Sequence, residues 1–362
     1  MRTYKVGIIG ATGMVGQRFI TLLANHPWFR LTLLAASPRS AGKRYEDAVA
    51  GRWAMDVPIP QDVKDMVLLS AQDDVETISS QVDFVFSAVD MTKSEIQALE
   101  ENYAKHECPV VSNNSAHRWT PDVPMVIPEV NPQHLAVIPA QKQRLGTQRG
   151  FIAVKSNCSI QSYVPALTPL RSFGIEKVLA CTYQAISGAG KTFETWPEMV
   201  DNLIPYIGGE EEKSEQEPLK VWGEVKDGVI VNADTPNITA QCLRVPVSNG
   251  HTAAVFVTFA NKPTVEQIKE AWRTYQGRAQ ELKLPTAPQQ FLHYFEENDR
   301  PQAKLDRNLE GGMAVSVGRL REDTQYDYKF VSLSHNTLRG AAGGAVLLAE
   351  LLCAEGYIEP VR

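Results

Sequence analysis

A chain of 362 residues exceeds what one ordinary core organises, and 43% hydrophobic with 22% charged residues is a globular composition, so two lobes with separate apolar centres are expected. No stretch approaches the ~20 uninterrupted apolar residues that cross a bilayer, and a net charge of −6 argues against nucleic acid as a partner. The run from Met1 to Val6 lacks the parts of a secretory signal, and Cys108, Cys158, Cys181, Cys242 and Cys353 form neither a CxxC pair nor a regular framework, so free thiols, no metal and a cytoplasmic location are expected.

Tyr4 to Ile9 is a short apolar run closed by glycine, and Gln17 to Leu23 repeats apolar residues at helical spacing, which predicts strand, tight turn and helix. Leu31 to Ala36, Met66 to Ser70, Val82 to Ala88 and Pro109 to Ser112 predict further strands, with a helix over Lys93 to His106. This alternation is that of a parallel sheet with helices on both faces, so residues 1–150 read as a Rossmann-like α/β domain. The polar, basic stretch Ile138 to Gly150 reads as a hinge or crossover, with Lys142, Arg144 and Arg149 as solvated charges. Residues 151–335 read as a second, α+β domain. Its runs Val178 to Ile186, Val229 to Asn232, Ile238 to Val247, Thr252 to Phe259 and Met313 to Leu320 predict a mixed or antiparallel sheet, covered by helices over Ser159 to Phe173 and Thr264 to Gln276. Asn336 is a candidate helix cap, and the small and apolar residues after it predict a C-terminal helix that returns to complete the first domain over 336–362.

The first turn, Gly10-Ala11-Thr12-Gly13-Met14-Val15-Gly16, sets glycines at every third position between strand and helix, where backbone N–H groups can face a phosphate. It departs from G-x-G-x-x-G spacing, so its position carries the argument for a dinucleotide. After the second strand, Ser37-Pro38-Arg39-Ser40 offers no carboxylate for ribose hydroxyls, whereas Arg39 with Ser37 and Ser40 suits a 2′-phosphate. NADP is thus favoured over NAD, and an exposed basic turn is the alternative.

Cys158, in Ser156-Asn157-Cys158-Ser159, falls where the helix over 159–173 should begin, a place that lowers a thiol pKa and supplies free N–H donors. An inert packed thiol is the competing reading. His251, after the turn Ser248-Asn249-Gly250, is the best proton handler among seven histidines, and Arg244 would grip a carboxylate if that turn folds back. Gln184 ends a strand before the flexible Ser187-Gly188-Ala189-Gly190. Gly208 to Lys213 reads locally as a solvated helix start.

Together these segments resemble the aspartate-semialdehyde dehydrogenase family, in its archaeal and fungal branch, over nearly the full chain. The matching blocks are Gly10 to Gln17, Ser37 to Ser40, Ser112 to Arg118, Ser156 to Ser159, Gln184 to Gly190, Gly209 to Lys213 and Arg244 to His251. The resemblance implies NADPH-dependent reduction of β-aspartyl phosphate to aspartate semialdehyde in the biosynthesis of lysine, threonine and methionine, by a homodimer or homotetramer, and it assigns catalysis and dimerisation to the domain over 151–335. Cys158 would be the acyl-carrying nucleophile and His251 the acid/base, with Asn157 and Gln184 beside them. Arg118 and Lys213 would bind phosphate, Glu210 the substrate amine and Arg244 its carboxylate. Gly10, Thr12, Gly13, Met14, Val15, Ser37, Arg39, Ser40, Ser87, Ser187, Gly188 and Asn336 would contact NADP. Ile160, and Lys191 with Phe193 to Trp196, depart from the family pattern and leave fine substrate preference open. The alternatives are a reductase of N-acetylglutamyl phosphate or an acyl-CoA such as malonyl-CoA, and a non-catalytic NADP-binding regulator.

Overall fold

In the computed structural model, which describes residues 3–360, six short strands form an all-parallel sheet. They are β1 (Tyr4–Ile9), β2 (Phe29–Ala36), β3 (Leu69–Ser70), β4 (Phe84–Ser87), β5 (Val110–Ser112) and β6 (Ile152–Val154), in the spatial order β3-β2-β1-β4-β5-β6. Residues 1, 2, 361 and 362, the ends of the expected N-terminal entry and C-terminal return, lie outside the described residues. The central strands are apolar on both faces because helices cover both: α1 (Met14–Leu23), α2 (Val75–Gln81) and α3 (Lys93–Lys105). Helix α3 starts on a capping box in which Thr92 and Glu95 satisfy each other's backbone N–H groups. Helix α1 begins at Met14, three residues before the expected start, since the glycine turn ends at Gly13.

The stretch read as a hinge or crossover is a crossover inside this sheet. It forms α4 (Ile138–Leu145), whose Gln141 side chain accepts from Ile152 N at 2.6 Å and donates to Ile152 O at 2.9 Å, fixing the entry to β6. The parallel sheet therefore runs past residue 150 to Val154. Arg144 is not merely solvated either, since it pairs with Asp122 and Glu101.

The expected helix over 159–173 is broken into a single turn at Ile160–Ser162, α5 (Val164–Leu167) and a further tight turn over Thr168–Phe173. Pro165 and Pro169 cannot donate to the carbonyls four residues back, which explains the interruptions. Beyond it lie β7 (Ile175–Gln184), α6 (Glu210–Val221), a hairpin of β8 (Glu224–Lys226) and β9 (Val229–Val231), β10 (Asn237–Arg244), β11 (His251–Phe259), α7 (Val265–Thr274), β12 (Leu292–Phe295), β13 (Val315–Glu322) and β14 (Tyr328–Ser334). The second sheet is mixed, in the order β10-β7-β11-β14-β13-β12, with β10 parallel to β7 and β11 antiparallel to it. Strict alternation of burial along β11 turns Ala253, Val255 and Val257 inward. Helix α7 lays Ile268 and Trp272 on that face, and the Trp272 ring stacks on Tyr294 and meets Phe330 edge-on.

Asn336 is not a helix cap. The chain first makes a wide turn over Leu338–Ala342, with Ala341 outside helical geometry, and only then enters α8 (Gly343–Ala354). Helix α8 packs in the core of the first sheet with Val6, Ile8, Phe19, Phe84 and Phe86, as a surface apolar on every side requires, and its one charged residue, Glu350, is paired with His26. Arg339, buried in the wide turn, pairs with Glu129 and lies 4.5 Å over the Phe291 ring.

Candidate active site

Three strand ends of the second sheet meet at one edge. Strand β7 finishes at Gln184, its parallel neighbour β10 finishes beside it at Arg244, and antiparallel β11 begins there at His251. The turn between Arg244 and His251 folds back, with Ile186 N donating to Val247 O at 2.9 Å, and so brings the arginine and the imidazole to the same cleft. Opposite them, the segment from Lys155 to Cys158 leaves β6 and crosses between the sheets.

Cys158 Sγ lies 3.4 Å from His251 Nε2. The Ala185 backbone N–H donates to His251 Nδ1 at 3.0 Å, so Nδ1 is the acceptor and the ring proton sits on Nε2, facing the sulfur. Burial, then the charges of Arg244, His335 and Lys155, push the imidazole pKa down to about 3. His251 is therefore neutral near pH 7 and poised to give a proton toward sulfur, or toward an oxygen bound beside it.

The thiol itself differs from expectation. Only a three-residue turn follows it, too short for an aligned helix dipole, and burial with the Glu210 carboxylate raises its pKa, against the opposing pull of Lys155, Arg118 and Arg244. Ionisation of Cys158 thus depends on neighbouring cations.

Glu210 is the hub of the polar wall rather than a solvated helix start. At 8% exposure its carboxylate accepts from Asn157 Nδ2 at 3.1 Å, Gln184 Nε2 at 3.3 Å and Lys213 Nζ at 2.7 Å. The residues Glu210, Lys213, Ser214, Glu217 and Lys220 recur at three- and four-residue spacing, so α6 points a polar stripe at the crossing segment. Ser214 Oγ lies 3.1 Å from Ser159 Oγ, and Glu217 accepts from Asn157 N at 2.6 Å and from Arg118 Nη1 at 2.9 Å. Arg244, 6% exposed, donates to Ala185 O at 2.7 Å and forms no ion pair among the described residues, which leaves guanidinium N–H groups for an anion.

A cavity of 510 Å³ joins this wall to the glycine turn, lined among others by Met14, Val15, Arg118, Cys158, Ser187 and Asn336. Gly10, at φ +87°, lets the turn press against β4, since a Cβ there would lie 2.3 Å from Ala88 O. Asn336 accepts from Gly250 N and donates to Ser187 Oγ, both at 2.8 Å, tying three cavity walls together. Gly188 keeps the cavity open, because a Cβ would sit 2.9 Å from Arg244 Nη1 and 3.1 Å from His251 Cε1. Asn113 Oδ1, buried on the cavity wall, has no hydrogen-bond partner among the described residues. Such an orphaned acceptor and kept-open channel fit a ligand that runs from the glycine turn to the thiol.

The other expected cofactor residues stand at the carboxyl ends of the first-sheet strands. Ser37 and Arg39 are exposed in the turn after β2, and Arg39 has no ion pair among the described residues. Ser87, buried at the end of β4, accepts from Asn114 Nδ2 at 3.1 Å and is not on the cavity wall, where Asn113 stands instead. Thr12 and Gly13 lie in the turn itself, outside the cavity lining. Sequence reasoning missed Lys155, Glu217, Arg18, Asn113 and Arg307. The helical spacing from Glu210 signalled Glu217, whereas Lys155 carried no local signal.

The doubly wound sheet, the mixed sheet and the thiol–imidazole pair at their junction define a semialdehyde dehydrogenase. Family models described as the semialdehyde dehydrogenase NAD binding domain and dimerisation domain match residues 5–138 and 167–339. Among curated relatives, the aspartate-semialdehyde dehydrogenase of Archaeoglobus fulgidus is 43% identical over 98% of this chain and 99% of its own, and that of Schizosaccharomyces pombe is 44% identical over 99% and 100%. The crystal structure of the Candida albicans aspartate semialdehyde dehydrogenase with NADP superposes with a TM-score of 0.88 at 40% identity, covering 98% of this chain and 100% of that one. The chain belongs to the aspartate-semialdehyde dehydrogenase family.

Proposed function

We propose that this chain is an NADP-dependent aspartate-semialdehyde dehydrogenase, which converts β-aspartyl phosphate to aspartate semialdehyde through a thioester on Cys158, for the synthesis of lysine, threonine and methionine. The single observation that carries the reading is Sγ of Cys158 at 3.4 Å from an Nε2–H of His251, on a cavity that reaches the glycine turn. The family assignment and the NADP complex of the Candida albicans relative support the substrate and the cofactor.

The Cys158 thiolate attacks the acyl carbon, the C–O bond to phosphate breaks, and a thioester remains. NADPH, when bound along the glycine turn, supplies the hydride that reduces an acyl carbon to the aldehyde level. His251 moves the proton to and from the oxygen of the Cys158 thiohemiacetal, whose collapse releases the aldehyde and restores the thiolate. Arg118 and Lys213 attract the phosphate, Glu210 takes the substrate ammonium, and Arg244 grips its carboxylate. Gly10, Met14, Val15, Ser187, Gly188 and Asn336 hold NADP, with Arg39 and the hydroxyls of Ser37 and Ser40 on its 2′-phosphate.

The test is oxidation of aspartate semialdehyde in the presence of NADP, with inorganic phosphate present or replaced by coenzyme A. Phosphate-dependent NADP reduction is expected; dependence on coenzyme A would assign an acyl-CoA reductase instead. In the same assay Arg244→Lys should raise KM for the semialdehyde about tenfold or more while kcat falls less, because an ammonium cannot make two parallel bonds to a carboxylate. An unchanged KM would remove Arg244 from substrate binding.

The outer face of the second sheet carries Leu179, Tyr183, Ala254 and Phe256, and Leu203 and Tyr206 are exposed. This apolar face supports a homodimer, with a dimer of dimers as the larger form. Five free cysteines suit the reducing cytosol.

A further inference from the structure

Lys155 is a buried charged group on the cavity wall to which the reading above gives no task. It is 2% exposed, three residues before the nucleophile, and its Nζ donates to the Gly340 carbonyl. Gly340 in turn lies against Cys158, so closely that a Cβ on it would be 2.8 Å from Cys158 Cβ. Gly340 thus joins the two side chains, since its carbonyl holds the ammonium and its α-carbon packs on Cys158, and both line the same cavity. Lys155 forms no ion pair among the described residues, although burial of an ammonium without a counter-ion is unfavourable. Its own carbonyl accepts from Arg118 Nε at 3.1 Å, so the arginine fixes the backbone and adds a second positive charge.

His251 cannot fill the same role. Its Nδ1 is engaged by Ala185 N and its Nε2 already carries hydrogen, so the ring has no free lone pair with which to take the thiol proton. The sulfur must lose its proton for other reasons than a neighbouring base. The charged groups that face the pair are Arg118 from the turn after β5, Glu210 and Glu217 from α6, Arg244 from β10 and His251 from β11. Glu210 opposes the thiolate. Arg118 is already committed to Glu217, and Arg244, which is held on Ala185 O, has the substrate carboxylate as its partner in the reading above; Lys155, three residues from the sulfur, has neither a carboxylate nor a substrate group to hold.

We propose that Lys155 is a positioning residue for the reaction: its ammonium, fixed on Gly340 O, stabilises the Cys158 thiolate against the Glu210 carboxylate, so that the thiol gives up its proton to solvent water in the open cavity and the nucleophile forms without a general base. The coupling is reciprocal. Burial, then Arg118, lowers the lysine pKa, and the negative sulfur is the first of the influences that oppose them, the balance lying at about 7. Lys155 is therefore charged below about pH 7, with the sulfur among the groups that hold its proton there.

The inference rests on Cys158 being the nucleophile, and its test separates the two. The full chain is alkylated with iodoacetamide across pH 5 to 10, chosen to span about two units either side of neutrality, and the modified cysteine is identified by peptide mass. Label on another cysteine, with turnover intact, would refute the thioester reading itself. With label on Cys158, Lys155→Met should shift the midpoint of the rate profile upward by about one unit and slow alkylation near pH 7 about tenfold. A Met variant that is folded by circular dichroism and keeps the wild-type midpoint overturns the inference alone. If that variant does not fold, Lys155→Arg decides: a fixed positive charge should hold the midpoint at or below the wild-type value, and an upward shift of about one unit overturns the proposal.

Discussion

Replacement of Cys158 by alanine is expected to abolish phosphate-dependent NADP reduction, by about 10⁴-fold or more, with NADP binding preserved. No other thiol can substitute. Cys108 is fully buried in the first sheet, where burial pushes its pKa up to about 12, and Cys353 lies inside α8 with its pKa raised further. Cys242 is buried against Ser214, and Cys181 stands on the outer face of β7, away from the cavity. The glycine turn belongs to the other sheet and touches the thiol only across the cavity, so loss of one sulfur leaves the nucleotide end intact. Steady-state rates and NADP-dependent fluorescence quenching, measured on the same preparation, check both halves. In wild type, rapid-quench mass spectrometry should find the acyl group on Cys158, and turnover by the alanine variant would end the thioester mechanism.

The second large effect is at His251. Its alanine variant should lose about 10²–10⁴ in kcat, the usual worth of a positioned acid/base group, and still fold. Folding survives because β11 is held through its backbone between β7 and β14, whereas the ring's own bonds go to Ala185 N and Cys158 Sγ. With the imidazole neutral down to about pH 3, the acid limb of the kcat profile in wild type should not belong to it. Near-normal turnover of the variant would remove His251 from proton transfer.

How much of this was legible in the chain depends on whether the signal was local. Strand β1, the glycine turn and the β2 end are written in consecutive residues, and so were read correctly as a nucleotide fold. Cys158 and His251 were picked out by their flanking turns, although the reason offered for the thiol, a helix dipole, fails because Pro165 and Pro169 break the helix. Strand β14 escaped because Ser332 and Ser334 face inward, which blurs its alternation, and β12 is only four residues long. Lys155 carries no local signal in the sequence. Only the tertiary structure, which folds Gly340 over it, reveals a buried ammonium. Asn336 looked like a cap and is instead a tie between Ser187 and Gly250.

Helix α6 belongs to the second sheet by sequence, yet Glu217 holds Arg118 and Lys220 donates to the carbonyls of Arg118, Thr120 and Val123, all from the stretch that borders the first sheet. A protein severed near residue 150 would strand three charged side chains, each with its mate on the missing half. The seam between the halves is wet chemistry in a dry place, so evolution cannot trade one half for a foreign counterpart without rewriting the helix as well.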